Sequence, residues 1–177
     1  MPDTGIIQRL IEEEEIATIV NRLGEQITAH YRANEGELVV IGLLRGSFVF
    51  MADLVRKINY PLVVDFMAVS SYGDGTISTG DVKIAMDLDE SVEGKHVLLV
   101  EDIVDTGTTF AKVIRMLGNR NPASLKVCSF LNKPSRRRYD VQIDFCGKDI
   151  PDEFVCGYGL DYAQKYRNLP YVGILGK

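Results

Sequence analysis

Three carboxylates fall within five positions, at Glu101, Asp102 and Asp105, and Thr106, Gly107, Thr108 and Thr109 follow at once. Carboxylates do not cradle phosphate; they suit sugar hydroxyls, or a magnesium ion shared with phosphate oxygens. The Thr-Gly-Thr-Thr run suits phosphate itself. Gly107 permits a backbone turn that bulkier residues resist, and the N–H and hydroxyl groups of residues 106–109 can aim at one point. A helix beginning there adds its positive dipole end. A plainer reading is an acidic strand-to-helix turn with capping threonines, and the threonines alone favour it. Two adjacent carboxylates after a buried strand fit that reading less well.

Other motifs are excluded or left open by spacing. No GxxxxGK[ST] occurs, so the stretch is not a Walker loop. Asp-Thr-Gly also marks aspartic proteases, which need two aspartates sharing a proton. One copy is present, so only a dimer contributing one aspartate per chain would serve. Leu44-Arg45-Gly46-Ser47 follows an apolar run; a small turn with one guanidinium can hold a diphosphate, although a plain turn with a solvated Arg is the slightly favoured reading of the residues alone. Lys133 stands at a strand end, where a solvated charge is usual. Phe154 and Val155 pair an aromatic with an aliphatic, normally a core feature but also what a flat base needs. Asp161 is placed to cap a helix over 162–168. His30 and His96 have no ligand spacing, and Cys128, Cys146 and Cys156 are odd in number without CxxC spacing, which argues against a disulfide framework or a zinc site.

The elements that must position these residues are legible from periodicity. The Glu12–Glu15 run leads into a helix, with Ile16, Ile19, Val20, Leu23 and Ile27 at helical spacing. Residues 38–44 read as a buried strand, 48–58 as a helix, 63–69 as a strand, 70–81 as a long polar loop and 82–86 as a strand. A buried strand over 96–100 ends just before Glu101, and a helix spans about 110–117. Strands are expected at 125–131 and 141–145, with short ones at 154–157 and 171–174. Strands alternating with helices define an α/β fold with a mainly parallel sheet, whose ligands sit beyond the carboxyl ends of the strands.

The 177 residues are 46% hydrophobic and 25% charged, enough for one domain with a real core. A net charge of −5 argues against nucleic acid as the main partner. No signal peptide or membrane-length apolar stretch is visible, and the cysteine usage fits a reducing compartment, so a cytoplasmic location is expected.

Glu101-Asp-Ile-Val-Asp-Thr-Gly-Thr-Thr109 resembles the phosphoribosyl-pyrophosphate motif of the type I phosphoribosyltransferases. The likeness continues through 39–48, 65–67, 70–73, 131–137, 150–155 and 157–167, in the family's order, and more narrowly the chain resembles the bacterial hypoxanthine (hypoxanthine-guanine) type. The resemblance implies a type I phosphoribosyltransferase-like α/β fold over 1–177, with a parallel core sheet and a small hood from about 1–15 and 145–177. It implies transfer of a 5-phosphoribosyl group to hypoxanthine, and to guanine as a second substrate, with magnesium and no nucleic-acid or membrane partner, in a homodimer or homotetramer. Residues 101, 102 and 105–109 would hold ribose and 5-phosphate, and Asp105 would act as acid–base group at purine N7. Lys133 would donate to O6, Phe154 would stack on the base, and Val155 and Asp161 would complete the purine site. Arg45, Gly46 and Arg167 would hold pyrophosphate, with a cis peptide at Leu44–Arg45 and a looser phosphate-side role for Arg137. Glu101, Asp102 and Asp161 would serve metal, and Ser71 and Tyr72 would belong to a closing lid. Lys148 stands where relatives often carry an aromatic or apolar residue, which leaves base selectivity open. The competing expectations are a xanthine- or guanine-preferring enzyme of the same fold and a non-catalytic regulator of that fold that binds RNA or nucleotide.

Overall fold

Leu38–Leu44 (β2) has no polar face, so it must lie between two layers, and every residue from Leu38 to Leu43 is buried. The computed structural model describes residues 5–71 and 82–176. The other strands of the main sheet are Leu62–Ser71 (β3), Val82–Met86 (β4), His96–Val104 (β5), Ser124–Asn132 (β6) and Phe145–Asp149 (β7). Their order is β4-β3-β2-β5-β6-β7; all neighbours are parallel except the antiparallel edge strand β4.

Alternation along the strands divides the core in two. Leu38, Val40, Leu98 and Val100 pack with Ile16, Leu23 and Ile27 of helix α1 (Glu13–Arg32) and with Phe50 and Leu54 of helix α2 (Phe48–Val55). Val39, Ile41, Val97 and Leu99 pack with Phe110, Val113 and Leu117 of helix α3 (Thr108–Gly118). A second sheet, β1 (Ile6–Ile11), β9 (Val172–Leu175) and β8 (Val155–Cys156), is antiparallel throughout and joins the α1–α2 core through Ile11, Val155, Val172 and Ile174. No helix among the described residues is long and apolar enough to cross a membrane.

Several expected boundaries are corrected. β5 continues to Val104, because its parallel pairing with β6 persists through Ile103–Leu131 and Val104–Asn132; Glu101 and Asp102 therefore lie on the strand, not after it. α3 begins two residues early, at Thr108. α2 ends at Val55, where the following turn brings Lys57 against Gly24 of α1: a Cβ on Gly24 would come within 2.7 Å of the Lys57 carbonyl. Residues 141–145 form no strand apart from Phe145. Val141 and Ile143 cover the edge of the α3-side core, and the Asp144 carboxylate accepts from the Val127 amide at 2.9 Å. β7 is the next segment along, and β1 has no counterpart in the sequence reading. No helix follows Asp161. Residues 162–168 turn through positive φ at Ala163, Gln164 and Tyr166.

Candidate active site

The carboxyl ends of β2, β5 and β6 meet at one edge of the sheet. β5 delivers the acidic pair and then the phosphate-type loop. Gly107 has φ +79° and precedes α3. A side chain there would also lack space, since a Cβ would lie 2.9 Å from the Tyr139 carbonyl and 3.4 Å from Arg137 Nη1. The first backbone bond of the helix is Ala111 N–H to Gly107 O at 2.8 Å. The amides of Gly107, Thr109 and Phe110 donate to no acceptor among the described residues, and the Thr106 and Thr108 hydroxyls lie 3.2 Å apart. Arg137 Nη1 is buried beside this loop without an acceptor, while its other nitrogen donates to Asn132 Oδ1. Orphan donors around a glycine turn form an anion cradle. A cavity of about 290 Å³ is lined by this loop together with Leu44, Gly46 and Glu101.

The acidic pair is split between two cavities. Glu101 faces the phosphate loop, whereas Asp102 lines a neighbouring cavity of about 580 Å³ with Lys133, Phe154, Val155 and Asp161. Burial pushes the Asp102 carboxyl up to about 6, against the Ile103 amide that donates to it at 2.8 Å and the charge of Arg167. Burial, and then the Asp102 charge, push Glu101 well above the usual carboxylate range, and Glu101 Oε2 finds no donor. The β2–α2 turn closes over Asp102: the Leu44–Arg45 peptide is cis, and a Cβ on Gly46 would fall 1.7 Å from Asp102 Oδ2. Gly159 in turn packs on Gly46, whose carbonyl a Cβ at Gly159 would meet at 2.3 Å.

In the larger of these two cavities, Lys133 is only 5% exposed, contrary to the solvated charge its position alone favours. Its amide donates to Val104 O at 3.0 Å, and its ammonium has no acceptor among the described residues. Phe154 leaves 55% of its surface open on the cavity wall and meets Tyr162 edge-on, while Val155 is buried. Asp161 caps the turn that replaces the expected helix, accepting from the Gln164 amide at 2.8 Å and pairing with Arg167 Nη2 at 2.7 Å. Arg167 Nη1 donates to the Gly159 carbonyl at 2.8 Å. Asp105 lines both cavities, and Arg136 approaches it at 3.4 Å.

All the expected site residues from Arg45 to Arg167 gather here, apart from the lid pair. Of Ser71 only the backbone, at the end of β3, belongs to the description, and Tyr72 lies outside the described residues. The sequence gives Asn132, Gly159 and Gln164 no role of their own, and Arg136 reads from it as a surface charge. Gly159 carried a signal, as one of two glycines flanking Tyr158, but polar residues in turns give none. A separate cavity of about 440 Å³ between α1, α2 and 167–170 touches Arg167 from behind and contains neither the loop nor the acidic pair.

Parallel strands ending in a glycine–threonine loop, with carboxylates beside it and a lysine–phenylalanine wall opposite, define a binder of a phosphorylated sugar next to a flat base. The chain belongs to the phosphoribosyl transferase domain family, which it matches over residues 8–163. It is 56% identical over 167 residues to the hypoxanthine phosphoribosyltransferase of Salmonella typhimurium strain LT2, covering 94% of both chains. It is 49% identical over 166 residues to the hypoxanthine-guanine phosphoribosyltransferase of Bacillus subtilis strain 168, covering 94% of this chain and 91% of the relative. A crystal structure of a hypoxanthine phosphoribosyltransferase from Staphylococcus aureus superposes with a TM-score of 0.91 at 48% identity, covering 97% of this chain and 92% of the other.

Proposed function

We propose that the chain transfers the 5-phosphoribosyl group of 5-phosphoribosyl 1-pyrophosphate to hypoxanthine, and to guanine as a second substrate, forming IMP or GMP and pyrophosphate. The observation that carries this reading is the position of Asp105, which lines both the phosphate-loop cavity and the Lys133–Phe154 cavity. A base in the second cavity and a sugar phosphate in the first would meet beside that carboxylate.

The chemistry follows from the groups present. Cleavage of the anomeric C–O bond leaves positive charge on the ribose ring, which the carboxylates of Glu101 and Asp102 tolerate. Residues 105–109 and Arg137 fix the 5-phosphate, so that the reacting carbon is held still. Asp105 takes or returns a proton at purine N7 as the base becomes a nucleophile. Lys133 donates to a 6-oxo group and offers nothing to the 6-amino group of adenine. Phe154 supplies the stacking face and Val155 backbone groups for the base edge. Arg45 and Arg167 receive the departing pyrophosphate.

Magnesium fits the donors. Glu101 Oε2 lacks a partner, and no cluster of three or more His, Cys, Asp or Glu among the described residues forms a closed protein cage. Magnesium is commonly held in that way, by one or two carboxylates plus substrate oxygens. Glu101 and Asp102 are the better-placed ligands, because Asp161 is committed to Arg167 and the Gln164 amide. The ion would neutralise charge developing on the leaving pyrophosphate. IMP formation from hypoxanthine, 5-phosphoribosyl 1-pyrophosphate and magnesium, with adenine and chelator controls, tests the proposal. Rapid turnover of hypoxanthine but not adenine is expected; preference for adenine, or no turnover of any purine, overturns it.

A further inference from the structure

Gln164 sits where the irregular segment around Asp161 reaches across to the turn after β2. Its side-chain oxygen accepts from Arg45 Nη1 at 3.2 Å and from Arg167 Nη2 at 3.0 Å. Its own amide donates to Asp161 Oδ2 at 2.8 Å, with φ +64° at the residue. One amide oxygen therefore gathers two guanidiniums from opposite sides of the site, and Asp161 fixes the backbone that carries it. Arg45 is exposed and has no other side-chain acceptor among the described residues, so without Gln164 its long side chain would sample many rotamers. Two like charges do not come together unaided, and a neutral acceptor with two lone pairs aligns them without adding to the countercharge that Asp161 already sets against Arg167.

We infer that Gln164 is a positioning residue that pre-assembles Arg45 and Arg167 into one receptor for the diphosphate of the sugar donor and of the pyrophosphate product. The inference rests on the proposed function, which places pyrophosphate at these two arginines. Pre-organisation of this kind lowers the ordering cost of binding, so its loss reads out in affinity for diphosphate ligands and not in the base site. The Gln164 side chain bonds only the two arginines, its link to Asp161 on the base-cavity wall is made by the backbone amide that Gln164→Ala keeps, and Gln164 is exposed, so the fold does not depend on its side chain.

The test is a double-mutant cycle with Gln164→Ala and Arg45→Ala, assayed in both directions of the reaction together with thermal melting. Gln164→Ala is expected to raise KM for 5-phosphoribosyl 1-pyrophosphate and for pyrophosphate by about three- to tenfold, the worth of an ordinary exposed hydrogen bond. KM for hypoxanthine and the melting temperature should stay at the parental values. In the Arg45→Ala background the same substitution should add much less, because one of its two clients has gone. Full additivity, an equal rise in KM for hypoxanthine, or an unchanged KM for both diphosphates overturns the inference. If Arg45→Ala and Arg167→Ala also leave diphosphate KM unchanged, the placement of pyrophosphate fails as well; if they raise it and Gln164→Ala does not, only the role of Gln164 falls.

Discussion

On the phosphate side, residues 101–109 extend from a strand paired on both flanks, with Val97–Val100 fully buried behind them. On the opposite side, residues 157–167 belong to no regular element longer than an isolated bridge and take positive φ at Gly157, Tyr158, Gly159, Ala163, Gln164 and Tyr166. The first region draws its precision from a dry sheet. The second draws it from a few polar bonds among Asp161, Gln164, Arg167 and the Gly159 carbonyl. A site built this way has one wall that resists deformation and one that can be loosened bond by bond. Substitutions on the two sides should therefore fail differently.

The largest effect is expected where the two cavities meet. Asp105→Asn should fold normally, bind both substrates and lose roughly 10²–10⁴ in kcat. Single-turnover IMP formation checks it, and near-parental kcat would remove Asp105 as the acid–base group. The next test sets the rigid wall against its neighbour. Gly46→Ala drives a methyl toward Asp102 Oδ2, 1.7 Å from the ideal Cβ, so the turn and the carboxylate cannot both keep their places. A displacement near 1 Å costs about 10²-fold in rate, and kcat/KM for the sugar donor should fall accordingly. A parental value would mean that the two groups do not need their close approach.

Lys133→Ala addresses the base wall alone. It should lower kcat/KM for hypoxanthine about 10- to 100-fold, as expected when a charged hydrogen-bond donor is lost, with little change in KM for the sugar donor. Competition between hypoxanthine and adenine measures it, and unchanged discrimination would put the O6 donor elsewhere. The smallest effect concerns stability. The Asp102 carboxyl is raised to about 6, above its ordinary range, so the unfolded chain ionises first. The Asp102 contribution to stability is then full below about pH 4 and is lost as pH rises to about 6. Asp102→Asn should melt higher than the parent at pH 7.5, and the difference should vanish near pH 4. The opposite sign at pH 7.5 would mean that the strain lies elsewhere.

The rigid wall was the legible one. The apolar run of β2, the buried start of β5 and the glycine–threonine loop each follow from local pattern, and the i, i+3, i+4 spacing from Ile16 to Ile27 locates α1. Where pattern misled, it did so for a stated reason. Val141, Ile143 and Phe145 alternate like a strand, yet the first two serve as lateral cover and only Phe145 pairs. Asp161 does cap a turn, but positive φ at Ala163, Gln164 and Tyr166 stops the helix from starting. Lys133 reads as a surface charge because burial of a strand end depends on tertiary structure; here it is buried on the wall of a cavity that it shares with Phe154 and Val155 from far along the chain. Gln164 was invisible since its partners, Arg45 and Arg167, are assembled only by tertiary structure.

The pairing of Ile6 with Leu175 and of Ile11 with Val172 joins strands from distant parts of the chain. Closing so long a loop is entropically costly and slow, so this small sheet should be the last part to consolidate during folding. The six-stranded sheet is complete at Asp149, before β8 and β9 are reached. The wall that carries Phe154 therefore comes later in the chain than the strand that carries the glycine–threonine loop, and through the Leu175 amide it is tied to the sheet whose closure is the more costly.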